Sequence, residues 1–212
     1  MRKDTYEEKD INSKLETYEW DDIWVIHAND EKRDRVMLIG DSISRGYRHK
    51  AAEALSGDFY VDNYATSKGI DNPALTKTIS LVLAQQPKYK VIHFNNGLHG
   101  FHLSDAEYEE HFESVIKFLT ETYPDKKLII GLTTPARERG NTQNLAERNH
   151  RVIARNRAAV RIAEKYGIAV NDLYSVLDGT NKYHCEDGIH LIEEGYELLA
   201  EKIKEKVYEV LK

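Results

Sequence analysis

The stretch Val36-Met37-Leu38-Ile39-Gly40-Asp41-Ser42-Ile43-Ser44-Arg45-Gly46-Tyr47 decides how the chain is read. Its apolar run, stopped by Gly40, reads as a buried strand. Ser42 then lies just past that strand, where open α/β sheets place their chemistry. Far downstream, Asp187-Gly188-Ile189-His190 offers a base and its orienting acid. A serine hydroxyl is a weak nucleophile at its ordinary pKa. It needs an imidazole to take its proton, and a carboxylate to fix the imidazole tautomer and stabilise the imidazolium. Ser42, His190 and Asp187 are therefore the candidate nucleophile, base and acid. Each also has a plainer role. Asp41 or Ser42 caps a helix well, Asp187 can cap a turn, and histidines are often half-buried for packing. Their order along the chain and their places at element boundaries favour the catalytic set.

From Val36 onward, strand and helix patterns alternate. Strands are expected over 35–39, 59–63, 90–95, 127–132 and 168–171, and helices over 44–55, 73–86, 105–123, 144–166 and 193–211. Phe112, Val115, Ile116 and Leu119 keep helical spacing after Asp105. Pro73 suits a first helical position, and Gly167 a position just past a helix end. Strands separated by helices imply parallel pairing with right-handed crossovers. The expected architecture is a three-layer α/β/α, flavodoxin-like domain with a five-stranded, mostly parallel sheet in the order 2-1-3-4-5. A single domain over 19–212 is expected, with a charged segment over 1–18 ahead of it. Trp20, Ile23, Trp24 and Ile26 form an apolar cluster suited to covering an edge or end of the sheet. In this arrangement Ser42, the 63–69 stretch, the 95–100 stretch, Thr133-Thr134-Pro135 and the Asp187–His190 pair all follow strands and converge at one sheet edge.

The 212 residues carry a formal net charge of −6, with 41% hydrophobic and 31% charged residues. That length suffices for one sizeable core. The net charge argues against nucleic acid as a partner. No run of eighteen apolar residues suggests a membrane span. The first residues lack the apolar core of a secretory signal, so a cytoplasmic location is expected, a trimmed signal aside. Cys185 is the sole cysteine, and a packing role is expected for it. A homo-oligomer is left open.

Gly40-Asp41-Ser42 resembles the first block of the SGNH, or GDSL, hydrolases, and Asp187-x-x-His190 resembles their last. The stretch Val91-Ile92-His93-Phe94-Asn95-Asn96-Gly97-Leu98-His99-Gly100 looks like the third block of a carbohydrate-esterase-like branch. The resemblance runs from about Trp20 to the C-terminus. It implies the SGNH hydrolase fold and a serine esterase acting through an acyl-enzyme on small acyl esters, with acetylated carbohydrate as the substrate class. Short-chain lipid esterases of the lysophospholipase or thioesterase type are the alternative, as is a non-catalytic binding module on the same fold. No cofactor is implied.

Family members stabilise the tetrahedral oxyanion with three donors: the serine N–H, a glycine N–H of the second block and an asparagine side chain of the third. Losing one such donor costs about 2.7–4 kcal/mol of transition-state stabilisation. Ser42 supplies the first. The second-block glycine falls on Lys68 or, with a shift of one, on Gly69, and Gly69 is favoured. The third-block asparagine aligns with His99. A neutral histidine can donate one hydrogen bond, and Asn95 or Asn96 is the substitute. Asp41, Arg45 and Asn96 are further candidates for substrate contact, and Tyr47, Asn63, Lys68, Asn95, His102 and Arg137 are polar groups expected to face the cleft. His184, Cys185, Asp187 and His190, like His93, His99 and His102, lack the paired spacing of metal ligands. The arginines between Arg148 and Arg161, interleaved with Val152, Ile153, Ala159, Val160 and Ile162, read as the solvated face of an amphipathic helix.

Overall fold

The computed structural model describes residues 15–86 and 88–212. The charged segment 1–18 lies mostly outside the described residues. The central sheet has six strands: β1 (Asp21–Trp24), β2 (Asp34–Gly40), β3 (Phe59–Thr66), β4 (Tyr89–Phe94), β5 (Lys127–Gly131) and β8 (Ala169–Asn171), in the order β1-β3-β2-β4-β5-β8. The five parallel strands follow the order expected from the sequence. The sixth, β1, pairs antiparallel with β3 and closes that edge. The Trp20–Ile26 cluster thus covers a sheet edge by joining the sheet. Ser67 N and Thr66 Oγ1 both donate to Trp20 O, and Trp20 N donates to Ser67 Oγ, extending the pairing past β1.

The period of two in β2 explains the layers. Val36 and Leu38 face one core, with Val61, Val91 and Ile129 and with Leu199, Ile203 and Val207 of helix α6 (Glu193–Val210). Helix α1 (Ser42–Leu55) packs on the same side. Met37 and Ile39 face the other core, with Ile92, Phe94 and Ile130. That side is covered by α2 (Leu75–Leu83), α3 (Asp105–Thr122) and α4 (Asn149–Tyr166). Ser104 caps α3 in a reciprocal box with Glu107, and Gly167 ends α4 in the left-handed conformation.

Besides the sixth strand, three details differ from expectation. Pro73 precedes α2 rather than opening it, and Ala74 is the N-cap. The start expected for α4 at 144 is a β-hairpin instead, β6 (Arg137–Glu138) and β7 (Asn141–Leu145), so the helix begins at Asn149. A short helix, α5 (Leu173–Asp178), follows β8.

At the end of the sheet remote from Ser42, Arg35 and Asp62 are buried together. Arg35 Nη1 donates to both Asp62 oxygens at 3.0 and 2.8 Å, and the guanidinium also reaches the carbonyls of Ile26 and His27. The Tyr89 hydroxyl and Ile26 N complete the shell of Asp62.

Candidate active site

Ser42 is the first residue of α1, directly after β2. Asp41 is the N-cap, its Oδ1 accepting from Ile43 N at 2.9 Å. This satisfies one of the free N–H groups at the helix start. Buried at 1% exposure, Asp41 is a cap and does not line the cleft, which corrects its expected contact with substrate. The Ser42 N–H stays at the positive end of the helix, where negative charge is favoured.

The sequence brings Asp187 and His190 to Ser42 through a tightly closed loop. Cys185 N donates to His190 O, Gly188 N donates to Cys185 O, and His184 bridges to Leu191. The β6–β7 hairpin holds this loop from outside: Arg137 N donates to Gly188 O, and Gly140 N to Glu186 O. Gly188 has φ +76°, and a Cβ there would stand 2.1 Å from Arg137 O, so no side chain fits. The hairpin that replaces the expected helical turn is therefore part of what positions the site.

Within this frame His190 Nε2 lies 2.9 Å from Ser42 Oγ, and His190 Nδ1 lies 2.6 Å from Asp187 Oδ2. An ionised Asp187 can only accept, so Nδ1 carries the proton and Nε2 accepts from the Ser42 hydroxyl. Asp187 Oδ1 also accepts from the backbone N–H groups of Ile189 and His190, each at 2.8 Å. Burial alone would raise the Asp187 carboxyl. The hydrogen bonds from His190 and from the two backbone N–H groups outweigh it and hold the carboxyl below its usual range. The three side chains border a cleft of about 380 Å³, open mouth included, whose other walls are Leu98, His99, Arg148 and Ile189.

The profile of the GDSL-like lipase/acylhydrolase family matches residues 38–198, which span both Ser42 and the Asp187–His190 pair. The chain belongs to the GDSL-like lipase/acylhydrolase family. A GDSL esterase/lipase of Arabidopsis thaliana is 28% identical over 120 residues, covering 51% of this chain and 50% of the relative. The chain thus matches about half the length of that curated relative. Among solved structures, a carbohydrate acetylesterase from Sinorhizobium meliloti superposes with a TM-score of 0.69 at 13% identity, over 84% of this chain and 100% of the other. A lipase/acylhydrolase from Enterococcus faecalis gives 0.63 at 20% identity, over 82% and 95%. An acetyl xylan esterase gives 0.64 at 18%, over 82% and 99%. At such identities these structures establish a shared fold.

The GDSL frame sorts the remaining candidates. His99 lines the cleft and is buried at 1% exposure. Asn95 is engaged elsewhere, its amide donating to Gly131 O at 2.7 Å and Thr133 Oγ1 at 3.1 Å, which corrects its expected role as oxyanion donor. Asn96 is also structural, since its amide donates to Lys68 O and ties the second and third loops together. Lys68 N donates to Thr66 Oγ1, which favours Gly69 over Lys68 as the second-loop glycine. A Cβ on Gly69 would stand 3.0 Å from Gly100 Cα, so the glycine lets these two loops touch backbone to backbone.

Several polar groups expected at the cleft face elsewhere. Arg45 turns to the sheet edge, over the Trp20 ring and 3.8 Å from Asp22. Tyr47 is buried in the core, and Asn63 donates to Leu38 O and Ser44 Oγ. Lys68 pairs with Asp21 at 2.6 Å, and His102 with Asp71 at 2.8 Å. Arg137 spends its guanidinium on the carbonyls of Thr142, Gln143 and Asp178, bracing the hairpin. Cys185 is half-buried beside the loop, and burial together with Asp187 raises its thiol pKa. His93 lies inside the sheet, where burial lowers its pKa to about 4, and burial lowers that of His184 as well. Among the described residues no three His, Cys, Asp or Glu side chains come together as metal ligands would. No helix among them is long and apolar enough to cross a membrane.

Two arginines, one in α4 and one at its N-cap, escaped sequence reasoning. Arg155 is buried at 1% exposure rather than solvated. It donates to Gly97 O (2.9 Å), His99 O (2.7 Å) and Gly100 O (2.8 Å), between the rings of Phe101 and Tyr108. Burial lowers its pKa to about 10, which still leaves it charged at neutral pH. This clamp fixes the loop that carries His99. The signal was present: Val152, Arg155, Ala159 and Ile162 fall on one helical stripe, and the stripe is buried. Arg148 also lines the cleft, although its neighbours in sequence are polar and gave no hint of it.

Proposed function

We propose that the chain is a serine esterase that hydrolyses small acyl esters, with acetylated carbohydrate as its substrate class. The observation that carries this reading is the Asp187–His190–Ser42 hydrogen-bonded chain, 2.6 and 2.9 Å long in its two links, on the wall of an open cleft. Ser42 Oγ attacks the ester carbonyl while its proton passes to His190 Nε2. The carbonyl electron pair moves onto oxygen, where the Ser42 and Gly69 N–H groups and His99 are the donors. Collapse expels the alcohol, which takes the proton from Nε2 and leaves an acyl-serine. Water then repeats the sequence, giving the acid and free Ser42.

The small cleft favours a short acyl group. Among the described residues its apolar lining is Leu98 and Ile189, too little to cover a fatty chain. The fold shared with carbohydrate acetylesterases supports a sugar as the alcohol part. Hydrolysis of 4-nitrophenyl esters of increasing chain length tests the acyl preference: kcat/KM is expected to be highest for acetyl and to fall by at least about tenfold at octanoyl. A higher value for octanoyl contradicts the reading, as does failure to release acetate from acetylated xylo-oligosaccharides.

A base must be neutral to accept the serine proton, so kcat/KM is expected to fall as acid protonates the base. Because the Asp187 carboxyl is held below its usual range, it stays ionised under conditions acidic enough to protonate an ordinary carboxyl, and the loss belongs to the base. Activity unchanged down to pH 4 contradicts His190 as base.

A further inference from the structure

Among the described residues, the cleft has a cation whose side chain no neighbour engages. Arg148, the N-cap residue of α4, lines it together with Ser42, His99 and His190. Its Nε is buried without a hydrogen-bond partner, and among the described residues no hydrogen bond or ion pair engages its side chain. The other buried or half-buried arginines nearby are committed. Arg151 binds Asp105 and the carbonyls of Phe101 and Leu103, while Arg155 and Arg137 bind backbone carbonyls. The carboxylate on the same wall among the described residues, Asp187, is occupied by His190 and two backbone N–H groups. A buried donor without an acceptor asks for one, and a guanidinium matches the planar fork of a carboxylate.

We propose that Arg148 is a specificity residue that binds a carboxylate on the substrate, so that the preferred substrates are anionic esters. This rests on the esterase reading above and narrows it to acylated acids. The chain's net charge of −6 offers no long-range attraction to an anion, so the preference arises from contact at Arg148. The carboxylate can belong to the alcohol part, as in an acetylated uronic acid, or to the acyl part, as in a dicarboxylic half-ester.

Two substrate pairs separate these sources: 4-acetoxybenzoate against its methyl ester, and monophenyl succinate against methyl phenyl succinate. In wild type, kcat/KM is expected to favour the acid over its methyl ester by about tenfold in one of the pairs. The pair that responds identifies the side. Arg148→Gln is expected to bring that ratio to about one, and Arg148→Lys to retain part of it. A ratio within one protein cancels general damage to folding or to the catalytic groups. A wild type that favours the neutral ester in both pairs overturns the proposal, as does a ratio that survives Arg148→Gln. A second readout needs no turnover. Benzoate is expected to slow phosphorylation of Ser42 by diethyl 4-nitrophenyl phosphate, which releases 4-nitrophenolate, in wild type and not in Arg148→Gln, and equal rates with and without benzoate in wild type also overturn it. Failure of the esterase reading is distinguishable, because a Ser42→Ala variant would then hydrolyse all four esters as wild type does.

Discussion

Ser42→Ala is expected to lose ester hydrolysis by a factor on the order of 10⁴ or more while remaining folded. Alanine keeps the Cβ and removes only Oγ, which makes one hydrogen bond, to His190 Nε2, and is not part of either core. The Asp41 cap of α1 does not involve it, so the helix start survives. His190→Ala is expected to be comparably inactive, because a serine without a base has no acceptor for its proton. Asp187→Ala is expected to cost less, because it removes the charge that stabilises the imidazolium but leaves Nδ1 free to donate to water and Nε2 free to accept from Ser42. Steady-state rates on 4-nitrophenyl acetate and a thermal melt of each variant check this. Turnover by Ser42→Ala at the wild-type rate contradicts the mechanism.

The largest expected effect on stability lies far from the site. Asp62→Ala removes the carboxylate from Arg35, whose side chain is 1% exposed beside an Asp62 that is fully buried. The guanidinium would keep the carbonyls of Ile26 and His27 but would hold an uncompensated charge in the interior. Breaking one partner of such a pair costs about 3–5 kcal/mol, a large share of the roughly 5–15 kcal/mol that keeps a domain folded. The Tyr89 hydroxyl and Ile26 N would lose their acceptor as well. Replacing both partners, as Arg35→Met with Asp62→Leu, is expected to recover most of the loss, since no charge is then stranded. Urea unfolding midpoints measure both variants. A loss below about 1 kcal/mol in Asp62→Ala contradicts this account of the pair.

The features legible in the sequence were those carried by local pattern. The apolar run Val36–Ile39 and its parallel partners follow from hydrophobicity, and the alternation with helices leaves few topologies open. Asp187 and His190 were legible together because they stand three positions apart in one loop. Ser42 came with them through its place after a strand. What escaped depends on contacts distant in sequence. Asn141–Leu145 is polar and mostly exposed, so no alternation betrays β7, and only the turn at Gly140, with φ +75°, marks the hairpin. Strand β1 was legible as an edge cover, but its pairing with β3 is set by partners some forty residues away. Asn95 has the right chemistry for an oxyanion donor, and the sequence could not reveal that Gly131 and Thr133 already hold its amide. Arg155 was placed on the solvated face because arginine is seldom buried. Its position between Val152 and Ala159 outweighed its charge once three carbonyls were present to receive it.

The central claim is that Ser42 is a nucleophile activated by His190. Treating wild type with a fluorophosphonate and mapping the adduct by peptide mass spectrometry tests it most directly. The predicted result is a single adduct on Ser42 that forms quickly in wild type, is greatly slowed in His190→Ala, and is missing at this position in Ser42→Ala. An intact Ser42 after full inactivation, or labelling at the same rate in His190→Ala, would contradict it.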